Sequence, residues 1–191
     1  MVRWGLVWSS AAQVTVPPDP ATELVSRSVT FPDGTRVRAG RIADAVIDAR
    51  TAPPDVALYA HGSGRPRPNP LGRVVNRVIR RPIHAGSWTP TWEVTWIAWP
   101  DMGVPDDDET ASRAIEMAFA RARAGDLVEV RCLGGSGRTG TMLACMAVLA
   151  GVPSEDAVAW VRAAYRTRAV ERRSQAAWVH GFATRLRSGH S

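Results

Sequence analysis

The stretch that decides the fold of this chain reads Glu129-Val130-Arg131-Cys132-Leu133-Gly134-Gly135-Ser136-Gly137-Arg138-Thr139-Gly140-Thr141. Before it, the apolar alternation from Leu127 to Val130 is typical of the end of a strand. After it, residues 142–150 are apolar and are followed by Gly151, which predicts a buried helix. The order is therefore a strand, a glycine-rich turn and a helix.

This turn has the properties of an anion-binding site. In a strand–turn–helix geometry the backbone N–H groups of the turn point inward, and the helix N-terminus adds the positive end of its dipole. Glycines suit such a turn because the backbone must approach the ligand closely and adopt conformations that a Cβ atom would block. The sequence therefore predicts a cradle for a dianion such as phosphate.

Two side chains add chemistry to the turn. Cys132 opens it, where the N–H groups and the helix dipole favour the thiolate form near neutral pH. Arg138 closes it, and its planar guanidinium can bind two phosphate oxygens at once. A nucleophile and an anion-binding cation on one loop indicate attack of the thiolate on phosphorus.

The turn resembles the signature loop of the cysteine-based protein tyrosine phosphatase family. The resemblance rests on the cysteine, the glycines and the basic tripeptide in their strand-to-helix context: Cys132, Gly134, Gly135, Gly137 and Arg138-Thr139-Gly140.

A second motif lies about thirty residues earlier and reads Trp99-Pro100-Asp101-Met102-Gly103-Val104-Pro105-Asp106. An aspartate on a loop flanked by proline and glycine, directly after a strand, is well placed to move over a site. Asp101 could protonate a leaving oxygen and then deprotonate an attacking water. The motif is similar to the mobile loop that carries the general acid in the same phosphatases.

The resemblance covers roughly residues 55–185 and implies an α/β protein tyrosine phosphatase-like fold. In that fold a central, mostly parallel sheet is flanked by helices, and the active site is a strand–phosphate loop–helix unit. The resemblance also implies a cysteine-dependent phosphomonoester hydrolase, of the protein tyrosine or dual-specificity type, that forms a phosphocysteine intermediate and needs no cofactor.

The resemblance assigns roles to individual residues. Cys132 is the nucleophile, Asp101 the general acid, and Thr139 matches the hydroxyl that stabilises the departing thiolate. Gln175 resembles the glutamine that orients the hydrolytic water, although a surface helix glutamine is an equally good interpretation. The phosphate is expected to be bound by the loop amides and the arginine, from Leu133, Gly134, Gly135, Ser136, Gly137 and Arg138.

One position departs from the family pattern. The family usually has a histidine just before the nucleophile, and this chain has Arg131. Its side chain should point away from the loop if the strand alternates, so the thiolate is expected to be tuned differently. The loop also lacks lysine, which weighs against phosphoinositide substrates and leaves phosphotyrosine, phosphoserine or phosphothreonine and small phosphoesters open.

Composition limits the class of protein. The chain has 191 residues, enough for one domain with a proper core, and no apolar run approaches the roughly 18 residues of a membrane span. All 24 of its basic Lys or Arg residues are Arg, and the net charge of +6 favours an anionic partner. Two cysteines and four histidines without ligand spacing indicate neither a disulfide framework nor a metal site. A cytoplasmic protein is expected.

Local patterns predict the remaining organisation. Residues 1–54 are expected to form an N-terminal arm, over residues 1–26, and a β-hairpin on an Asp33-Gly34 turn; residues 55–191 are expected to form the catalytic domain. Strands are predicted over 55–60 and 92–99, and helices over 110–124, 153–165 (with Ser154 as N-cap) and 174–186. The acidic run 106–109 favours the N-terminus of the first of these helices by capping and by the helix dipole. The buried face of that helix is predicted to comprise Ala111, Ala114, Ile115, Ala118, Phe119 and Ala122. A short basic helix over 71–79 is either a solvated face or a docking surface for an acidic partner.

Three functions are consistent with these features. The first is an active phosphatase that acts on a phosphorylated protein or a small phosphomonoester. The second is a catalytically weak module of the same fold that binds phosphorylated partners through Arg138. The third is a basic nucleic-acid-binding protein in which the cysteine loop is incidental, and it is disfavoured because both a nucleophile and an acid are present.

Overall fold

One five-stranded sheet organises the part of the chain that the computed structural model describes, which is residues 26–62 and 90–188. In chain order its strands are β1 (Arg27–Thr30), β2 (Arg36–Arg41), β3 (Val56–His61), β4 (Glu93–Ala98) and β5 (Val128–Cys132). They lie in the order β1-β2-β5-β3-β4, and every pair except the β1–β2 hairpin is parallel. The predicted central, mostly parallel sheet is therefore confirmed.

The β1–β2 hairpin forms on the predicted turn. Gly34 has φ of +85°, a conformation that glycine adopts without steric cost. Phe31 N–H donates to the Thr35 carbonyl at 2.8 Å and closes the turn. The sequence did not indicate where the hairpin docks: β2 pairs in parallel with β5, which places Gly40 beside Arg131 and Arg41 beside Cys132.

Within residues 26–62 and 90–188, five α-helices and one 3-10 helix surround the sheet. They are the 3-10 helix Ile42–Asp44, α1 (Ala45–Thr51), α2 (Asp108–Arg123), α3 (Gly137–Leu149), α4 (Ala157–Ala164) and α5 (Arg173–Ser188). None of these helices, in the ranges that are described, is long and apolar enough to cross a membrane. Residues 1–25 of the expected arm (1–26) and the basic helix at 71–79 lie outside the described residues.

Acidic residues begin α2, as predicted. The Asp107 side chain accepts hydrogen bonds from the backbone N–H groups of Glu109 and Thr110, both at 3.0 Å, and so caps the helix. Its buried face includes Ala111, Ile115 and Phe119, also as predicted.

The prediction for the start of α4 was wrong. The helix begins at Ala157, after an Asp156 cap that makes no side-chain hydrogen bond. The Pro153 carbonyl accepts from the N–H groups of Asp156 and Ala157, so the residues between them form a turn. The Ser154 hydroxyl lies 3.3 Å from the Glu155 carboxylate instead of capping the helix.

The two faces of the sheet differ in character. One face holds the main apolar core, in which Cys132 and Val130 of β5 pack with fully buried residues of α3 such as Met142 and Met146. The other face carries a smaller apolar cluster around Tyr59, covered by the 3-10 helix and the start of α1. Both faces are thus covered by helical elements, as the sequence predicted.

Candidate active site

The loop between β5 and α3 directs a backbone N–H group toward the sulfur of Cys132. The Gly135 N–H group lies 3.2 Å from Cys132 Sγ, in hydrogen-bonding geometry. Gly135 has φ of +68°, and a Cβ atom at this position would lie 2.9 Å from the Gly40 carbonyl carbon. Only glycine satisfies both the backbone conformation and the close approach to β2.

Replacing Gly135 with alanine is expected to lower the free energy of unfolding by roughly 2–3 kcal/mol, since positive φ and a backbone clash add together. Gly134→Ala is the matched control, because Gly134 is exposed, has no positive φ and would place its Cβ in open space. Urea denaturation of both variants measures the difference. Equal stabilities would mean that the loop adapts to a side chain at position 135.

Arg138 and Asp101 meet over this loop. Arg138 lies in the first turn of α3 and is 3% exposed. Its Nη1 donates to the Trp99 carbonyl at 2.9 Å, and its Nη2 donates to Asp101 Oδ1 at 2.8 Å. Asp101 itself is 68% exposed, so the carboxylate has solvent on one side and the arginine on the other.

The Asp101 loop is held in shape by a buried tryptophan. Trp99 Nε1 donates to the Gly103 carbonyl at 2.9 Å, and the Trp99 ring packs against Trp178 of α5 with 5.2 Å between the ring centroids. Met102, next to the aspartate, has φ of +59°, an uncommon conformation for a residue other than glycine. These contacts therefore fix the part of the loop that precedes Asp101.

Gln175 lies at the junction of the two loops. It is fully buried, and its Oε1 accepts from the Glu171 N–H at 2.9 Å while its Nε2 donates to the Gly103 carbonyl at 3.2 Å. A Cβ atom at Gly137 would lie 3.2 Å from the Gln175 amide nitrogen. The structure thus brings Gln175 to both the loop that follows Cys132 and the loop that carries Asp101, which an exposed helix glutamine would not do.

The remaining predicted residues occupy the loop and the first turn of α3. Leu133 and Gly134 are exposed at the loop tip, and Ser136 precedes the helix without a side-chain cap to its N–H groups. The Thr139 hydroxyl is buried and lies 3.4 Å from the Gly40 carbonyl of β2. Its role toward the Cys132 sulfur stays a prediction.

Two residues that the sequence analysis missed also lie at the site. The buried Tyr165 hydroxyl donates to the Gly135 carbonyl at 2.6 Å, and burial raises the pKa of Tyr165 to about 12. His61 ends β3, and burial, together with the charge of Arg138, lowers its pKa. His61 could have been found, because the carboxyl ends of neighbouring parallel strands meet at one edge of a sheet.

Arg131 is part of a buried charged network on the opposite face of β5 from the main core. It is fully buried, and its Nη2 lies 2.7 Å from both Asp48 Oδ2 and Glu129 Oε2. Burial disfavours the charged form, but the two carboxylates outweigh it and raise the pKa of Arg131. The prediction that this side chain points away from the loop that follows Cys132 is confirmed.

The network continues to the strand that supports the loop. Arg131 Nη1 donates to the Arg41 carbonyl at 3.1 Å, and Gly40 leaves room for the guanidinium, since a Cβ there would lie 3.0 Å from Nη1. Arg38 adds a second cation, with its Nε 3.0 Å from Glu129 Oε2, and the Tyr59 hydroxyl donates to the same carboxylate. Arg131 therefore reaches the loop indirectly, through β2.

The described residues contain no group of three or more histidine, cysteine, aspartate or glutamate side chains arranged to hold a metal ion. Cys132 and Cys145 are both free and buried.

Solved structures define the class of fold. The chain is similar to Tk-PTP in its active form, at 24% identity and a TM-score of 0.57 over 83% of this chain and 97% of that one. It is similar to the protein tyrosine phosphatase TbPTP1 of Trypanosoma brucei, at 16% identity and a TM-score of 0.58 over 86% of this chain and 74% of that one. Human DUSP28 is a third similar structure, at 15% identity and a TM-score of 0.53 over 85% of this chain and 99% of that one. The fold is that of the cysteine-based protein tyrosine phosphatases.

The family follows from the sequence itself. Residues 72–184 match the family described as Swiss Army Knife protein, DSP-PTPase phosphatase domain, and the chain belongs to that family. No curated protein matches the chain.

Proposed function

We propose that this protein is a metal-independent, cysteine-dependent phosphomonoester hydrolase of the protein tyrosine or dual-specificity type. The observation that carries the proposal is the 2.8 Å contact between Arg138 and Asp101 above the loop that surrounds Cys132. It brings an acid-bearing loop to an anion-binding arginine beside a nucleophile.

In the first step the loop N–H groups and Arg138 bind the phosphate dianion, and the substrate takes the place of Asp101 on Nη2. The Cys132 thiolate attacks phosphorus and forms an S–P bond while the bond from phosphorus to the leaving oxygen breaks. Asp101 gives its proton to that oxygen. Arg138 stays aligned because Nη1 keeps its bond to the Trp99 carbonyl.

In the second step water attacks the phosphocysteine, and the Asp101 carboxylate accepts its proton. Gln175 lies between the phosphate loop and the acid loop, where its amide can orient that water. The S–P bond breaks, and the role we propose for Thr139, whose hydroxyl contacts the Gly40 carbonyl in this structure, is to stabilise the departing thiolate. Preorganised N–H donors of the loop supply the largest share of the rate enhancement.

The substrates we propose are phosphorylated proteins or small phosphomonoesters. The nucleophile must stay reduced, which fits a reducing compartment, so we also propose a cytoplasmic location.

Hydrolysis of para-nitrophenyl phosphate in the presence of EDTA tests the proposal. Wild-type protein should turn over without added metal. Asp101→Asn should lower kcat on the order of 10²-fold and flatten the alkaline side of the pH–rate profile, because the general acid is lost. Asp106→Asn is the matched control, since Asp106 is an exposed aspartate at the end of the same loop.

Absence of turnover across the pH range would contradict the enzyme proposal. If vanadate or phosphate still bound in that case, the protein would be a module that captures phosphorylated partners without hydrolysing them.

A further inference from the structure

The hydroxyl of Tyr165 holds one peptide unit of the loop that follows Cys132. Tyr165 comes directly after the last residue of α4 and is 1% exposed. Its hydroxyl donates to the Gly135 carbonyl at 2.6 Å, while the Gly135 N–H lies 3.2 Å from Cys132 Sγ. The two backbone polar groups of Gly135 therefore have different partners, a side chain at the end of α4 and the candidate nucleophile.

This contact sets the orientation of the peptide bond between Gly135 and Ser136. No peptide bond in the described ranges is cis, so the Gly135 carbonyl and the Ser136 N–H point in opposite directions from one plane. Because the carbonyl is directed at the Tyr165 hydroxyl, the Ser136 N–H faces the other side of the loop. Helix α3 begins at Gly137, and the first N–H groups of a helix have no acceptor within it. The Ser136 N–H thus adds one donor to a set that is suited to an anion.

Gly135 gives this peptide unit an alternative orientation. Its φ is +68°, and glycine adopts either sign of φ at little cost, so the peptide plane that follows it has few steric restraints. Turning that plane over would direct the Gly135 carbonyl oxygen to the anion side and the Ser136 N–H to α4. A carbonyl oxygen there would repel a phosphate dianion and a thiolate alike. It would also leave the buried Tyr165 hydroxyl without its acceptor, which is a second cost.

Tyr165 is itself held in place by two arginines. Arg27 Nη1, from β1, donates to the Tyr165 carbonyl at 2.8 Å, and the Arg166 guanidinium lies 5.1 Å from the centre of the Tyr165 ring. Burial raises the pKa of Tyr165 to about 12, so its hydroxyl keeps the proton that it donates at neutral pH. The donor is therefore fixed before any ligand binds.

We propose that Tyr165 is a positioning residue: its hydroxyl holds the Gly135 carbonyl away from the anion site and so makes the Ser136 N–H a ligand of the bound phosphoryl group. Tyr165 acts through the backbone of the loop and contacts neither the substrate nor the reacting atoms. This inference rests on the proposed phosphatase function and assigns a role to a residue outside the loop, although its effect on anion binding can be measured without turnover.

Replacing Tyr165 with phenylalanine tests the inference, since it removes the hydroxyl and keeps the buried ring. We expect the Kd for vanadate, measured by calorimetry, to rise about tenfold, and kcat/KM for para-nitrophenyl phosphate to fall by a similar factor. The pH midpoint for alkylation of Cys132 by iodoacetamide, followed by mass spectrometry, should rise by about 0.5–1 unit, because the released carbonyl disfavours the thiolate.

Thr141→Val is the matched control. The Thr141 hydroxyl is also fully buried and also donates to a backbone carbonyl, that of Gly137, at 2.8 Å. That carbonyl points along α3 away from its N-terminus, so the donors of the anion site do not depend on it. Both variants should lose stability in urea, but Thr141→Val should keep the vanadate affinity and the alkylation midpoint of the wild type. If Tyr165→Phe kept them as well, Tyr165 would serve only the fold and the inference would be wrong.

A measurement on the wild type decides the matter even if Tyr165→Phe fails to fold. In protein labelled with ¹⁵N, saturating inorganic phosphate should shift the Ser136 amide resonance as strongly as those of Gly137 and Arg138. An unshifted Ser136 amide, or no binding of phosphate at all, would overturn the inference. A shifted Ser136 amide in a protein that does not hydrolyse para-nitrophenyl phosphate would support the role of Tyr165 and reject the hydrolase proposal, so the two failures are distinguishable.

Discussion

Replacing Cys132 with serine is expected to reduce turnover of para-nitrophenyl phosphate on the order of 10⁴-fold or more while phosphate or vanadate still binds. The hydroxyl of serine stays protonated at neutral pH, so the loop N–H groups and the dipole of α3 no longer have an anionic nucleophile to stabilise. Arg138 and the loop backbone remain in place, which preserves the anion site. Initial rates and calorimetry with vanadate measure the two effects.

Cys145→Ala is the matched control for this variant. Cys145 is the other free cysteine, it is fully buried in α3, and burial raises the pKa of its thiol. The variant should keep turnover, with some loss of stability from the small cavity. If Cys132→Ser retained a substantial rate, the nucleophile would have to be another group and the proposed mechanism would be wrong.

Replacing Arg131 with methionine is expected to lower the free energy of unfolding by roughly 3–5 kcal/mol, because it leaves buried carboxylates without their cation. Asp48 and Glu129 are both fully buried, and each lies 2.7 Å from Arg131 Nη2. Arg38 would still lie 2.9 Å from Glu129, whereas Asp48 would lose its contact with the Arg131 cation. Urea denaturation measures the loss.

The exposed ion pair of Arg113 and Glu109 is the control for the Arg131→Met variant. Arg113 and Glu109 of α2 lie as close as 2.7 Å, yet both side chains are mostly exposed, so Arg113→Met should change stability far less. The double variant Arg131→Met/Asp48→Asn should recover part of the lost stability, because a neutral amide then replaces the carboxylate that Arg131 contacts. A loss for Arg131→Met no greater than that for Arg113→Met would show that the network does not stabilise the fold.

The local features of this molecule could be predicted from its sequence because they depend on neighbouring residues. The hairpin on Asp33-Gly34, the buried face of α2 and the strand–loop–helix unit at Cys132 are of this kind. The direction of the Arg131 side chain, away from the loop that follows Cys132, could be predicted from strand alternation alone.

The contacts that these features make with distant parts of the chain could not be predicted in the same way. Asp48 is 83 residues from Arg131 in the chain, and nothing in the short helix around it indicates a buried ion pair. Tyr165 ends an amphipathic helix and has the pattern of a core residue, although its hydroxyl supports the phosphate loop. Ser154 failed as a predicted N-cap because a turn closed on Pro153 competes with the helix.

The position of β2 has a consequence for any shortened form of the protein. The family match begins at residue 72, after β1, β2 and β3. Without these segments, both long sides of β5 would present unpaired N–H and C=O groups to solvent, a template for pairing with other chains. A fragment cut to the matched range would therefore tend to aggregate, and Cys132 would end a strand without lateral neighbours.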